Sequence, residues 1–232
     1  MGRICWYRRL SCLFGLLLMA SVKTTAQESQ SAGFLPRINL TWNLGKQYRI
    51  TGITESRLQT YRKGEEPAWN ASYLLTDYIV MASRKAGARS NINGGYTIRV
   101  SDRFPVHRFI QQYTFISGNE GFRIGHRVQT DQTIGQSRVP EFRLRYRLGA
   151  EQALTGTKID EKEWYVRYSA EALGITRVSE FDLEGRAVGM FGYGFSKKNR
   201  LEVGGDYRLR NFLDGEGSSQ IWLALSWFVT MN

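Results

Sequence analysis

From Glu141 the chain reads EFRLRYRLGAE, which sets Phe142, Leu144, Tyr146 and Leu148 against Arg143, Arg145 and Arg147. Alternation at every second residue marks a β-strand, whose successive side chains point to opposite faces; a helix would scatter the three arginines around its circumference. The pattern recurs. Leu201, Val203, Gly205, Tyr207 and Leu209 oppose Arg200, Glu202, Asp206, Arg208 and Arg210, while Trp164, Val166, Tyr168 and Ala170 oppose Tyr165, Arg167, Ser169 and Glu171. Near the end, Ile221, Leu223, Leu225 and Trp227 alternate with Trp222, Ala224, Ser226 and Phe228, so that segment is apolar on both faces. Looser versions fill the remainder. Together they predict strands at 34–44, 47–61, 70–84, 88–101, 106–117, 121–135, 139–152, 162–173, 185–196, 200–211 and 219–230, separated by turn-forming runs such as GK at 45–46, GNEG at 118–121, SKKN at 196–199 and DGEG at 214–217. No segment requires a helix.

Strand length selects the architecture. Strands of soluble sandwiches average about five to six residues, whereas a strand that crosses a bilayer in a barrel needs about nine to eleven. The predicted strands meet the second requirement and fit a closed meander better than a Greek key. The expected fold is all-β: a single transmembrane antiparallel β-barrel over residues 34–232, an up-and-down meander of ten to twelve strands, preceded by a short periplasmic or flexible segment at 27–33. Eleven segments are countable. Bacterial single-chain barrels carry an even number, so twelve is preferred, with the missing strand expected within 153–163 or ahead of Phe34. The first strand holds Pro36 and is the weakest assignment.

Composition agrees with this pattern. The chain has 12 Tyr, 12 Phe, 6 Trp and 24 Gly against 4 Pro, a β-rich usage. Its one continuous apolar stretch, Leu10 to Val22, is too short for a membrane helix. Arg3, Arg8 and Arg9 precede that stretch, and Thr24 and Ala26 follow it as a T-x-A cleavage site, so residues 1–26 read as a secretory signal peptide removed near Ala26. Its removal takes Arg3, Arg8, Arg9 and Lys23 and no acid, which lowers the formal charge from +11 to +7. Cys5 and Cys12 leave with it, so no disulfide or thiol is expected in the mature protein.

In such a barrel the apolar faces meet lipid and the charged faces share one lumen. The expected basic lining is Arg123, Arg127, Arg143, Arg145, Arg147, Arg167, Arg208 and Arg210, and the expected acidic lining is Glu151, Glu171, Glu184, Glu202 and Asp206. Trp42, Tyr48, Tyr61, Trp69, Trp164, Trp227 and Phe228, near strand ends, are expected at the two membrane interfaces. Extracellular loops are expected at 62–69, 101–105, 135–138, 174–184 and 212–218.

The runs VHRFIQQYTF (106–115), FRIGHRVQTDQ (122–132) and EFRLRYRLGAE (141–151), followed by WYVRYSAEAL (164–173) and EFDLEGRAVGMFGYGFSKKNRLEVGGDYRL (180–209), resemble the bacterial outer-membrane family known as domain of unknown function 2490. The resemblance covers most of the chain after residue 26. It implies a barrel in the outer membrane of a Gram-negative cell, and it carries strand patterns more than chemistry. In one place the chain departs from it: Glu184-Gly185-Arg186 stands where the family often has Asn before the arginine of the ninth strand.

Three functional readings follow. An Arg-rich lumen would make a narrow, porin-like channel favouring anionic solutes. The alternative is a closed structural or binding barrel, its lumen filled by an ion-paired network. A lipid-modifying enzyme is the third, but its candidates are thin: His107 and His126 are the only histidines, one at a strand start and one in an outward register, and there is no nucleophile elbow. The expectation is therefore a non-enzymatic barrel. No cofactor is expected, because no Cys/His zinc set, calcium loop or phosphate-cradling glycine loop is present. The expected partners are outer-membrane lipid and lipopolysaccharide, the machinery that inserts barrels by reading the aromatic final strand Ile221 to Met231, and small anionic solutes. Nucleic acid is not expected, since the basic residues alternate with lipophilic ones.

Overall fold

The computed structural model of the chain describes residues 29–64, 66, 68–102, 104–118, 121–136, 139–154, 159–178, 180–211 and 217–231; the expected signal peptide lies outside them. Among the described residues eleven strands follow one another: β1 (Ser29–Leu44), β2 (Tyr48–Arg62), β3 (Trp69–Lys85), β4 (Ser90–Val100), β5 (Val106–Gly118), β6 (Phe122–Gly135), β7 (Glu141–Ala153), β8 (Trp164–Arg177), β9 (Glu180–Ser196), β10 (Asn199–Arg210) and β11 (Ser218–Thr230). Each pairs with the next in antiparallel fashion, and β1 pairs with β11, so the sheet closes into a barrel without a free edge. Among the described residues there is no helix.

Four expectations are corrected. The barrel has eleven strands, not twelve: the residues ahead of Phe34 belong to β1 and the described part of 153–163 ends β7 and connects it to β8. With an odd number of alternating strands the first and last point the same way, so the meander is antiparallel except at its closing seam, where β1 and β11 run parallel from Ser29↔Ser218 to Thr41↔Thr230. Residues 29–33, expected ahead of the barrel, are held in its wall by that seam although SQSAG shows no alternation, because backbone pairing alone suffices there. The loop expected at 174–184 is mostly strand: β8 runs to Arg177, a turn begins at Val178, and β9 starts at Glu180. The dyad pattern of Leu173, Ile175 and Arg177 runs on to the turn and resumes at Asp182 and Glu184, and Arg177 pairs with Glu180 across it.

Pro36 sits inside β1 without breaking it. It keeps its place opposite Leu225 of β11, while the ladder to β2 carries no partner for Leu35 or Pro36 and bulges between Ala32 and Gly33, so no donor is demanded where proline has none. Gly33 is required at the bulge: a Cβ there would collide with the Leu58 carbonyl and the Trp222 indole.

Period-two alternation sorts the side chains. Val80, Leu144, Val203, Ile221 and Leu223 are exposed on the outer surface, and Leu223 keeps 56% of its area. Aromatic groups cluster on the same surface toward the rims, with Trp164 stacked on Phe191 at 4.8 Å and Tyr61 against Trp69 at 5.0 Å. The interior holds two unlike regions. Along β1, β9 and β11 an apolar cluster forms from Leu35, Met190, Trp222 and Ala224, with Leu74 and Val188 against it. The rest of the interior is charged. Between the two, Tyr165 is fully buried, its ring lying over Gly192, its partner across the β8–β9 ladder, and its hydroxyl donating to Glu202 at 2.9 Å.

Because a Cβ at position 192 would fall inside the Tyr165 ring, Gly192→Ala is expected to lower stability by about 1–3 kcal/mol, the usual cost of overpacking. Gly205→Ala, where a Cβ meets nothing within 4 Å, should change it by under about 0.5 kcal/mol. Urea unfolding midpoints of the two variants check this; equal losses would contradict the packing.

Candidate functional site: the charged interior

A central cavity of about 320 Å³ occupies the charged side of the barrel. Among the described residues eleven arginines line it against five carboxylates, Glu55, Asp77, Glu171, Glu184 and Asp206, so most carboxylates must serve more than one arginine. Burying a guanidinium is tolerable only with a paired charge and satisfied donors, and the strand register supplies partners layer by layer.

At β6 and β7, Asp131 is fully buried and lies directly opposite Arg143, which donates to it through Nε. Arg108 at 3.5 Å and Arg145 at 3.8 Å approach the same carboxylate. Arg145 turns its other nitrogen to Glu171 at 3.2 Å, and Glu171 also meets Arg186 at 3.6 Å. Glu184 holds Arg186 and Arg210, each at 3.0 Å. Asp206 takes a bidentate pair of bonds from Arg208, both 2.8 Å, and Arg208 is only 2% exposed. On the opposite wall Asp77 takes two 2.7 Å bonds from Arg99, and Glu55 lies 3.5 Å from Arg57 and 3.6 Å from Arg37. Toward the end where β11 finishes, a second cavity of about 280 Å³ holds Glu202, which accepts from Arg167 in a bidentate pair and from Tyr165. Glu151 lies there 3.9 Å from Arg200.

The residues expected in the interior fall into distinct groups. Arg143, Arg145, Arg208, Arg210, Glu171, Glu184 and Asp206 share the central network; Arg167, Glu202 and Glu151 form the second cluster. Arg127 and Arg147 line both cavities. Arg123 stands apart: it is exposed near the start of β6, opposite Glu151, and joins neither cavity. Phe228, expected at a membrane interface, instead turns inward beside Ala224 and Ser226 with Arg200 5.6 Å from its ring center, because the alternation that sends Trp227 out must send Phe228 in.

Sequence reasoning missed Arg37, Glu55, Arg57, Asp77, Arg99, Arg108, Asp131 and Arg186. β1, β4 and β5 carry a single charge each, and in β2, β3, β6 and β9 the charges of both signs are interspersed with Thr, Ser, Gln and Gly, so no charged row stood out. The signal that could have found Asp131 is its place on the face of β6 that also carries Arg127 and Gln129. The histidines are elsewhere: His107 Nδ1 lies 2.6 Å from the Tyr96 hydroxyl and His126 Nδ1 lies 2.9 Å from that of Tyr146, both pairs on the outer surface. Among the described residues no group of three or more His, Cys, Asp or Glu could hold a metal ion.

Asp131→Asn would leave three arginines without their common counter-charge, and a loss of about 3–5 kcal/mol is expected. Glu151→Gln, at a longer and part-exposed pair, should cost about 0–1 kcal/mol. Denaturant titrations of both variants measure the difference, and similar small losses would show that Asp131 is not central to the network.

No curated protein and no solved structure matches the chain. A family described as a protein of unknown function (DUF2490) matches residues 32–218, which takes in most of every strand from β1 to β10. On that match, carried by the same strands whose charged faces meet inside the barrel, the chain belongs to the DUF2490 family.

Proposed function

We propose that this protein is a non-enzymatic bacterial outer-membrane barrel whose interior is a narrow passage for small anions. One observation carries the reading: eleven arginines against six carboxylates, counting Asp131 behind Arg143, around a cavity inside a closed wall. Uncompensated positive charge between low-dielectric walls concentrates anions and repels cations. The central and second cavities share Arg37, Arg127 and Arg147, which supports a continuous path. Barrels of eight strands are just filled by their side chains, and those of sixteen or more leave a water channel; eleven falls between, in keeping with a narrow bore.

Location rests on the outer surface. A belt of exposed Val80, Leu144, Val203, Ile221 and Leu223 would be a costly patch in water and is what a lipid-facing band requires. Of the five connections that share an end with the close of β11, those at 45–47, 86–89, 119–121 and 197–198 are short and the one at 154–163 is longer; four short turns suit the periplasmic side. The connections at 63–68, 101–105, 136–140 and 211–217 would then face outward, where Arg62 and Lys63 suit lipopolysaccharide phosphates. The second reading, a closed structural barrel, is favoured by the apolar cluster around Trp222, which fills one side of the interior.

Planar-bilayer recording of the purified protein separates the two readings. The passage predicts discrete openings and, in a potassium chloride gradient, a zero-current potential of the sign for anion preference. Silent bilayers across repeated insertions would remove it. For the membrane itself, Leu223→Arg is expected to cost about 2–4 kcal/mol of folding stability in phospholipid vesicles; a loss under about 0.5 kcal/mol, as at an ordinary water-exposed site, would place that face in water.

A further inference from the structure

We propose that Arg127 and Arg147 form a binding point for a phosphate-class oxyanion inside the barrel, a proposal that rests on the anion-passage reading and names the class of solute. The two residues are directly opposite each other across the β6–β7 ladder, and both face the interior. Directly opposed side chains in an antiparallel pair stand about 5 Å apart at Cβ, and like charges so placed destabilise the sheet. The neighbouring arginines of β7 are compensated, Arg143 by Asp131 and Arg145 by Glu171. Arg127 and Arg147 have, among the described residues, no ion-paired carboxylate and share only the more distant field of Glu171. Among the described residues Arg127 has no hydrogen bond or ion pair, and Arg147 donates only to the Ser169 hydroxyl, from Nε at 3.0 Å and Nη2 at 2.9 Å. Glu171 lies opposite Arg147 on β8, yet its carboxylate leans away to Arg145 and Arg186.

Beside this pair there is room. Two residues along, on the same interior faces, Gly125 and Gly149 are also directly opposite each other, and a Cβ on Gly125 would meet nothing within 4 Å. The hollow beside them, about 270 Å³, has Arg123, Arg127, Arg147, Arg167 and Ser169 among its basic and hydroxyl lining and Glu151 as its one carboxylate, and where the glycines thin the wall it reaches Phe115, His126 and Tyr168. Arg167 is engaged with Glu202. Opposed guanidinium groups, with Arg147 held on its β8 side by the Ser169 hydroxyl, suit an anion with several oxygens, because two cations with several donors each can share it; a halide offers a single point. A bound dianion would also convert the Arg127–Arg147 repulsion into attraction. The chemistry is that of a phosphate group, either inorganic phosphate or a phosphate monoester, and the glycine-floored side leaves space for the ester substituent.

The test titrates the full chain in detergent micelles with inorganic phosphate at constant ionic strength, by calorimetry and by the thermal unfolding midpoint, with chloride as the reference salt. Saturable binding and a phosphate-dependent rise in the midpoint are expected. Arg127→Gln and Arg147→Gln should each weaken binding by about tenfold or more, the loss of a charged donor pair. Each should also raise the midpoint in chloride alone, where the repulsion is relieved. Arg84→Gln, an exposed cation outside the interior, should leave both quantities unchanged. Absence of saturable binding, or binding unaltered in both interior variants, overturns the proposal. Tighter binding of glycerol 3-phosphate than of inorganic phosphate would assign the site to a monoester, and the reverse to the free ion. Phosphate binding without any conductance would sink the passage and leave this site standing, whereas an anion current insensitive to phosphate would sink the site alone.

Discussion

Closure of the sheet is the constraint from which the remaining features follow. Once β1 pairs with β11, every strand has two neighbours and one face of every strand is turned toward the same enclosed space. Charges that would be scattered over an open sheet must then share a small interior. A carboxylate such as Asp131, with no exposure at all, is sustainable only because Arg143 lies opposite it in the register and Arg108 and Arg145 stand within reach. Removing charges from water costs more than a single poor contact returns, so the acids that serve two or three arginines at once are the joints of this interior.

The seam itself shows how the odd strand count is accommodated. A parallel pair has slanted, evenly spaced bonds and is slightly weaker than an antiparallel one. Here it is backed by the apolar cluster of Leu35, Met190, Trp222 and Ala224, so its weaker ladder is reinforced by burial from within. The same cluster makes the interior lopsided. Apolar bulk lies on the β1, β9 and β11 side, where Leu35, Met190 and Ala224 also border the second cavity, and the central cavity lies against the arginine-lined side, which is the feature the proposed anion passage uses.

Much of this was legible in particular residues. EFRLRYRLGAE could only be a strand with Arg143, Arg145 and Arg147 on one face, and the strand boundaries read from such alternation lie within a few residues of those of β2 to β7, β10 and β11. The misses have physical causes. Residues 29–33 lack alternation and Gly174 interrupts the apolar face of β8, yet backbone pairing carries strand through 29–33, 174–177 and 180–184. Asp131, Asp77 and Glu55 went unnoticed because an isolated acid in a polar strand looks like any surface residue until a neighbouring strand sets an arginine opposite it.

Side-chain direction is a local property: in an extended chain the backbone alone sends residue i and residue i+2 to the same face, so the strands and their two faces were determined by the amino-acid order by itself. Which strand meets which, and in what register, depends on pairing between residues far apart in the chain, and a slip of one position would exchange the faces. Only the tertiary structure therefore decided that eleven strands close through a parallel seam, that Glu171 serves Arg145 and Arg186 rather than Arg147, and that Arg127 and Arg147 are left facing each other beside two glycines.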